Sequence, residues 1–187
     1  MEIVLLRPEI PHNTGCAARL AAATGLRLHL VEPLGFSLAD RYLKRAGLDY
    51  WPLVELRLHA TWEAACAALA DGSERPLDER LHLFTARGGA SLFATGFAPD
   101  DVLVFGGESA GLPAELLARH ADRRVYVPIR AGVRSLNLAN VVCLGVYTAL
   151  VRSGSALPAN DGRYEAHARA GHDERPLERV RGSVGPG

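Results

Sequence analysis

Side chains able to do chemistry gather where the last long apolar segment of the chain begins. The stretch VRSLNLANVV, residues 133–142, leads into positions 136–150, which are apolar enough for a helix buried on most sides. Its polar residues are Arg134, Ser135, Asn137 and Asn140. Hydroxyl and amide oxygens at such a place can cap a helix by accepting hydrogen bonds from its first backbone N–H groups. They can also orient a ligand, so the motif predicts either a helix cap or the edge of a site.

Three further polar residues allow the same choice between a structural and a functional role. Asn13, with Thr14, precedes a small-residue helix that it could cap. Arg19 lies on that helix among alanines and leucines, where it is either solvated or paired with an anion. Glu108 follows two glycines and could accept hydrogen bonds from the amides of its own turn. Each residue alone is best explained by structure, and only a common location would indicate a site.

The elements that must position these residues alternate between short apolar runs and helical patterns, which is typical of a parallel α/β sheet. Strands are predicted over residues 2–6, 26–33, 53–59, 80–89, 101–108 and 123–129. Helices are predicted over residues 16–25, from Ser37 to Arg45, and over 61–72, 112–120 and 137–152. The last helix closes a domain of residues 1–153. Residues 154–187 are polar and rich in Gly and Pro, which predicts a disordered tail.

Ligands of open α/β sheets bind beyond the carboxyl ends of the strands. Four polar or glycine-containing loops follow predicted strands: RPEIPHNTG, TARGG, GGESAGLP and PIRAGVRSLN. Asn13, Glu108 and Ser135 are therefore expected at one edge of the sheet. Familiar nucleotide motifs do not match, because GGESAG (106–111) is not GxGxxG and the chain has no Walker lysine motif.

Composition limits the class of protein. The 187 residues suit one domain with a sizeable core, and their 21 basic and 21 acidic residues cancel, which gives no sign of a nucleic-acid binder. A nucleic-acid binder of this composition would need a local basic surface, for which the candidates are Arg7, Arg41, Lys44, Arg45, Arg87, Arg130 and Arg134. The three scattered cysteines fit reduced thiols in a cytosolic protein. We expect neither a signal peptide nor a membrane span.

Three blocks, in this order and near these spacings, carry a specific resemblance. PEIPHNTGCAARLAAATG, FGGESAGLP and IRAGVRSLNLANVVCLGVY resemble motifs of the SPOUT-class RNA 2′-O-ribose methyltransferases. With RLHLVEPLGF and RAGLDYW between the first two blocks, the chain is similar to the short members that methylate the wobble nucleotide (position 34, C or U) of tRNA. The resemblance covers residues 2 to about 153, with no separate RNA-binding domain.

The resemblance implies a fold, a methyl donor and partners. The fold would be a mostly parallel sheet flanked by helices, with a deep trefoil knot in its C-terminal part, although true knots are rare. The donor would be S-adenosylmethionine, leaving S-adenosylhomocysteine, and no metal would be needed. The partners would be a tRNA anticodon loop and a second subunit that helps to build each active site, in the cytoplasm and without a membrane. The implied cofactor-binding residues are Phe84, Thr85, Gly106, Val127, Ile129, Ser135 and Leu136. The implied catalytic residues are Arg19, Asn13, Glu108, Ser135, Asn137 and Tyr147.

The chemistry accounts for this inventory. Methyl transfer to a ribose hydroxyl is an in-line displacement that depends on positioning, and the hydroxyl must lose its proton on attack. The resemblance implies that Arg19 activates it, as a base or by placing its charge near the developing oxyanion. Arginine is essentially always protonated, which favours the electrostatic role, and its planar fork also suits a phosphate. Asn137, Asn140 and Tyr147 are spaced to share one polar helix face.

Some positions depart from the pattern, and two rival functions stay open. Cys16 and two alanines replace a bulkier stretch, and Ala110 stands where a basic residue is common, which puts a phosphate contact there in doubt. One rival is the same chemistry on another tRNA position or on rRNA. The other is a non-catalytic RNA-binding protein with the same fold.

Overall fold

The strands build one parallel sheet. The computed structural model describes residues 1–38, 51–71 and 73–159. Within them the strands are β1 (Glu2–Leu6), β2 (Arg27–Val31), β3 (Leu56–His59), β4 (Leu81–Phe84), β5 (Ala90–Ser91), β6 (Val102–Gly106) and β7 (Arg124–Tyr126). Their order across the sheet is β3-β2-β1-β6-β4-β7-β5, and every pair is parallel. The mostly parallel α/β sheet predicted from the sequence is thus confirmed.

Five α-helices flank the sheet in the described part of the chain. They are α1 (Pro11–Thr24), α2 (Trp62–Ala70), α3 (Leu77–Arg80), α4 (Ala114–Arg119) and α5 (Leu138–Arg152). Single 3₁₀ turns cover Trp51–Leu53 and Ala121–Arg123. No described helix is long and apolar enough to cross a membrane.

Alternating side chains of the strands divide the core into two layers. Ile3 and Leu5 of β1 pack with the alanines of α1 and the valines of α5, whereas Val4 and Leu6 pack with Ala65 of α2. Successive side chains of a strand point to opposite faces, so a sheet covered on both faces reads as a continuous apolar run. This is why EIVLL is apolar throughout.

Close packing fixes α5 against the sheet. Gly145 faces the stacked rings of Phe84 and Phe105, whose centroids lie 4.3 Å apart. A Cβ added at Gly145 would come 2.9 Å from the Phe84 ring, which is closer than packed carbons normally approach. The missing side chain therefore lets α5 lie directly on β4 and β6.

Several strands are shorter than predicted and the short helix α3 was not predicted, but the differences that matter most lie at the first helix and after β4. The first helix begins at Pro11 instead of Cys16, since proline fits the first helical turn, where its missing N–H is not needed. Asn13 and Thr14 lie inside that turn and are not caps; the N-cap is Ile10, whose side chain makes no capping hydrogen bond. The strand predicted over 80–89 is only β4, and the two-residue β5, too short for a periodic pattern, was missed.

Three predictions concern residues that the structure does not describe, and one of them is the assignment of Arg41, Lys44 and Arg45 to a basic surface. The helix predicted from Ser37 to Arg45 lies mostly in residues 39–50, outside the described ranges. Of the tail predicted to be disordered, residues 160–187 are also outside them, and residues 155–159 contain no helix or strand.

Candidate active site

A cleft of about 490 Å³ opens at the carboxyl edge of the sheet. It lies among the loops that follow β4, β6 and β7 and the start of α5. All seven residues predicted to bind a cofactor line it: Phe84, Thr85, Gly106, Val127, Ile129, Ser135 and Leu136. Four residues of the predicted catalytic set line it too: Asn13, Glu108, Ser135 and Asn137. The structure therefore brings together residues from four separated segments of the sequence.

Strand order explains why the first and third of these segments meet. β1 and β6 are parallel neighbours, with Leu6 paired to Gly106 at their carboxyl ends. The loop after β1 and the loop after β6 consequently leave the sheet side by side. A Cβ added at Gly107 would lie 2.5 Å from the carbonyl oxygen of Arg7, so the two backbones touch here because position 107 has no side chain.

Glu108 binds the neighbouring loop and the start of α1. Its carboxylate accepts hydrogen bonds from the backbone N–H of Glu9 (2.8 Å) and of Ile10 (3.3 Å). It also accepts one from Nδ2 of Asn13 at 2.8 Å. The interpretation that Glu108 satisfies its own turn is wrong, because these partners lie 95–99 residues away in the sequence. With three donors engaged, the carboxylate fixes the position of Asn13.

Asn13 also binds the N-cap residue of α5, so it links Glu108 to α5. Its Oδ1 accepts a hydrogen bond from Nδ2 of Asn137 at 2.9 Å. Oδ1 of Asn137 accepts from the N–H groups of Ala139 (2.9 Å) and Asn140 (3.4 Å), which makes Asn137 the N-cap of α5. The helix-cap and site interpretations of this motif are thus compatible, because one side chain caps α5 and lines the cleft. The cap is Asn137 and not Ser135.

Two arginines hold the segment that leads into α5. Nη2 of Arg134 donates to the carbonyl oxygen of Ser109 at 3.3 Å. Nη2 of Arg87 donates to the carbonyl oxygen of Val133 at 3.1 Å. These bonds tie the segment before Asn137 to the loops after β6 and β4, which form the walls of the cleft.

The remaining two predicted catalytic residues, Arg19 and Tyr147, do not line the cleft. Arg19 is exposed on α1, and Tyr147 is 40% exposed on α5. The outer face of α5 is also less polar than predicted, because Leu144 and Val151 are exposed beside Asn140 and Tyr147. It is a mixed face with a substantial apolar area.

Sequence analysis missed Glu9, whose carboxylate accepts hydrogen bonds from the backbone N–H of Ser109 (3.2 Å) and from its hydroxyl. The only available indication was a second acidic residue in a loop expected at the same edge. The sequence contains no information on which two loops are neighbours, and that requires the strand order.

A buried histidine pair lies away from the cleft, on the sheet face that α2 covers. Nε2 of His29 lies 2.6 Å from the Glu2 carboxylate, and its Nδ1 lies 2.9 Å from Nε2 of His59. Burial, with positive charge nearby, lowers the pKa of His59 to about 4. The pKa of Glu2 is lowered by its hydrogen bond from His29 and by the Arg27 charge, which outweigh the opposing effect of burial. In the described residues no group of three or more His, Cys, Asp or Glu side chains is arranged to hold a metal ion.

Known proteins resemble this chain over most of its length. The sequence pattern of the SpoU rRNA Methylase family matches residues 1–147. A protein of Burkholderia ambifaria named tRNA (cytidine(34)-2′-O)-methyltransferase is 47% identical over 153 residues, which are 81% of this chain and 95% of the relative.

Two solved structures share the fold. One, described as giving structural insights into the 2-OH methylation of C/U34 on tRNA, superposes with a TM-score of 0.74 at 49% identity, over 81% of this chain and 94% of that one. An rRNA methyltransferase from Sinorhizobium meliloti, solved with bound AdoMet, superposes with a TM-score of 0.68 at 24% identity, over 80% of this chain and 55% of that one. The matched pattern spans the whole region that builds the cleft, from β1 to Tyr147 of α5, and the chain therefore belongs to the SpoU rRNA methylase family.

Proposed function

We propose that this chain transfers the methyl group of S-adenosylmethionine to the ribose 2′-hydroxyl of the wobble nucleotide, C or U at position 34, in tRNA. The observation that carries the proposal is the near-complete coverage, at 47% identity, of a relative named for this reaction. In this chain the same length of sequence forms a cleft joined by hydrogen bonds to α1 and α5.

The cleft suits a methyl donor of this kind. Its volume falls within the range of about 300–1,000 Å³ typical of small-molecule sites. Phe84, Val127, Ile129 and Leu136 offer apolar contacts, and the loop after β6 offers backbone groups. At Gly106 an added Cβ would lie 2.1 Å from the Gly111 backbone, so the loop folds tightly on itself and presents main chain toward the cleft. When bound, the donor supplies an activated methyl group at a sulfonium centre.

The chain's own residues then position the acceptor and stabilise the negative charge that develops on its oxygen as the hydroxyl proton leaves to water. Glu108 is occupied by three donors, and we assign it to holding Asn13 in place. Ser135 and Asn137, in the cleft wall, are placed to orient either reactant. Arg19 would stabilise the developing alkoxide by its charge, because a guanidinium stays protonated.

A homodimer is part of the proposal, since Arg19 lies outside the cleft of its own chain. The outer face of α5 exposes Leu144, Tyr147 and Val151 by 37%, 40% and 60%. Apolar side chains at this helical spacing favour coverage by a partner. Because α1 packs against α5, a second copy on this face would bring Arg19 of one subunit near the cleft of the other.

The implied trefoil knot also belongs to the proposal. Its support is that the segment before α5 is held between two loops by Arg87 and Arg134. A knotted chain pulled by its ends should reach a contour length shorter than about 3.5 Å per released residue, measured by single-molecule force spectroscopy. Extension to the full length would contradict the knot.

The RNA partner has a basic surface to bind. Arg7, Arg87, Arg130 and Arg134 are exposed on loops at the edge where the cleft opens. Such residues suit phosphate contacts, which position an RNA without selecting its sequence. A cytoplasmic location accords with three free cysteines.

The test is incubation of the purified protein with labelled S-adenosylmethionine and, in separate samples, total tRNA or rRNA, followed by mapping of the modified nucleotide. Label at the ribose of position 34 is expected. Label at another tRNA position, or only in rRNA, would show that the proposed substrate is wrong and identify the actual one. Calorimetric titration with S-adenosylmethionine separates the remaining rival, since a purely RNA-binding protein would have no affinity for the donor.

A further inference from the structure

Two glutamates, 99 residues apart in the sequence, each accept hydrogen bonds from the loop that carries the other. Glu108 reaches from the loop after β6 to the backbone N–H of Glu9, at 2.8 Å. Glu9 reaches back, with Oε1 accepting from the N–H of Ser109 at 3.2 Å and Oε2 accepting from the Ser109 hydroxyl. We call this reciprocal arrangement of Glu9, Glu108 and Ser109 the carboxylate clasp.

The clasp lies next to a backbone contact between Gly107 and Arg7 that a side chain at position 107 would prevent. A Cβ at Gly107 would lie 2.5 Å from the carbonyl oxygen of Arg7 and 2.9 Å from Oε1 of Glu9. The backbone at Arg7 is in the left-handed region, with φ of 54°, which a side-chain-bearing residue adopts only at a cost. The two loops therefore touch at Gly107. The pairing of Leu6 with Gly106 holds them together before this contact, and the clasp holds them together after it.

Each half of the clasp leads to a different part of the cleft. Through Glu108 it reaches Asn13, and from there the N-cap of α5 at Asn137. Through Ser109 it reaches Arg134, whose guanidinium donates to the Ser109 carbonyl oxygen at 3.3 Å. The tip of the loop after β6 is thus held between the start of α1 and the segment that enters α5.

We propose that Glu9 is a positioning residue for methyl transfer. It fixes the loop after β6, which would hold the donor, relative to α1 and Asn13, which would meet the acceptor. The inference rests on the proposed function. In-line displacement is sensitive to such alignment, and a misplacement of about 1 Å can lower the rate about 100-fold. Glu9 does not line the cleft and both its carboxylate oxygens are occupied by Ser109, so it acts through Ser109 and not as a proton acceptor.

The test compares Glu9→Ala, Glu9→Gln, Ser109→Ala and the double variant Glu9→Ala/Ser109→Ala with wild type. Glu9→Ala should lower kcat on tRNA by about 10- to 100-fold, while the Kd for S-adenosylmethionine and the KM for tRNA change less than about threefold. Glu9→Gln keeps an acceptor oxygen for the Ser109 N–H and should recover part of the loss. The double variant should be scarcely slower than Glu9→Ala, because both changes remove the same connection.

A measurement independent of turnover follows the clasp itself. In the donor-free protein, amide hydrogen exchange at Ser109 should speed up in Glu9→Ala, since its N–H loses the acceptor. The matched control is Glu74→Ala, an exposed glutamate that does not line the cleft, and it should leave both kcat and exchange as in wild type.

Three results would overturn the inference: wild-type kcat in Glu9→Ala, effects of Glu9→Ala and Ser109→Ala that multiply independently, or a loss of donor affinity as large as the loss in kcat. If wild type binds the donor but methylates no tRNA, the proposed substrate fails, whereas the exchange at Ser109 still decides whether the clasp exists.

Discussion

At the scale of single residues, the polar side chains at the cleft form hydrogen bonds to one another, so that each depends on its neighbours for its position. Asn137 caps α5 and also donates to Asn13, which in turn donates to Glu108. A residue with two such duties cannot be replaced without changing both. Residue-scale predictions are therefore clearest at positions outside this network.

Arg19 is the first such position. Arg19→Ala should reduce kcat/KM for tRNA methylation by at least about 100-fold, as expected for loss of a charge that stabilises a developing oxyanion. Calorimetric Kd for S-adenosylmethionine should stay within about threefold of wild type, because Arg19 does not line the cleft. Arg119→Ala, an exposed arginine on α4, is the control. A matching loss of donor affinity would show that Arg19 has been assigned the wrong role.

His59 makes folding sensitive to acid. When both rings are neutral, Nε2 of His29 donates to Glu2 and its Nδ1 accepts from Nε2 of His59, which leaves Nδ1 of His59 buried with no hydrogen-bond partner. In the unfolded chain His59 takes up a proton below its ordinary pKa of 6.5, but in the folded protein only near 4. The stability that this difference supplies is complete above pH 6.5 and is lost as the pH falls toward 4.

The expected slope is about 1.4 kcal/mol per pH unit in the middle of that window. It is measured as the free energy of unfolding in urea between pH 6.5 and 5, where the lowered pKa of Glu2 keeps that carboxylate ionised. His59→Leu should have a shallower slope, and His12→Gln, which removes an exposed ring, should not. Equal slopes in wild type and His59→Leu would show that the histidine pair does not cause the acid sensitivity.

At the scale of elements, the closeness of α5 to the sheet decides the shape of the cleft. Phe84 lines the cleft and also stacks against Phe105 beneath Gly145. A change in the packing of α5 is therefore transmitted to the cleft wall through one aromatic ring.

Gly145→Ala tests this coupling. The added Cβ would meet the Phe84 ring at 2.9 Å, and overpacking of this kind costs about 1–3 kcal/mol. The gain in helix propensity, about 1 kcal/mol, offsets part of it. We expect a lower free energy of unfolding by about 1 kcal/mol and weaker binding of S-adenosylmethionine. Gly96→Ala is the control, because a Cβ there would meet nothing within 4 Å, and it should change neither quantity. Unaltered donor binding in Gly145→Ala would show that the packing of α5 does not affect the cleft.

At the scale of the whole molecule, the proposed dimer would connect the cleft of one subunit with the exposed face of α5. Within one subunit the residue proposed to activate the acceptor lies outside the cleft proposed to hold the donor. Symmetric pairing through one self-complementary surface is the commonest form of association and would complete both sites at once.

Mixing two inactive variants tests this arrangement. Arg19→Ala keeps the cleft, whereas Leu136→Asp places a charge in the cleft lining and keeps Arg19. If each site uses Arg19 of the other subunit, a refolded equal mixture should regain about a quarter of wild-type activity, because half of the dimers then contain one intact site out of two. No recovery in mixtures shown to exchange subunits would contradict the use of Arg19 from the other subunit.

The interface itself is checked by Leu144→Asp on the exposed face of α5, which should yield a monomer in sedimentation equilibrium. Leu53→Asp changes another exposed leucine, outside α5, and should leave the association state unchanged.

The sequence by itself determined the parallel α/β fold class, most element positions and some of the residues that line the cleft. These follow from local patterns: apolar runs, helical spacing, and glycines at turns such as Gly25, which ends α1 in the left-handed conformation. Motif resemblance then selected residues from separated segments. Boundaries failed where the local pattern was weak, as at Pro11 and in the two-residue β5.

Only the tertiary structure decided which of these residues touch. The carboxylate clasp exists because β1 lies beside β6, and strand order depends on the packing of the whole sheet instead of on any local period. For the same reason His29 and His59, 30 residues apart, form one buried pair across β2 and β3. Hydrogen bonds between distant segments form only when the sheet brings the ends of those segments together. Sequence patterns can therefore indicate which residues take part, whereas the tertiary structure decides which of them are bonded to each other.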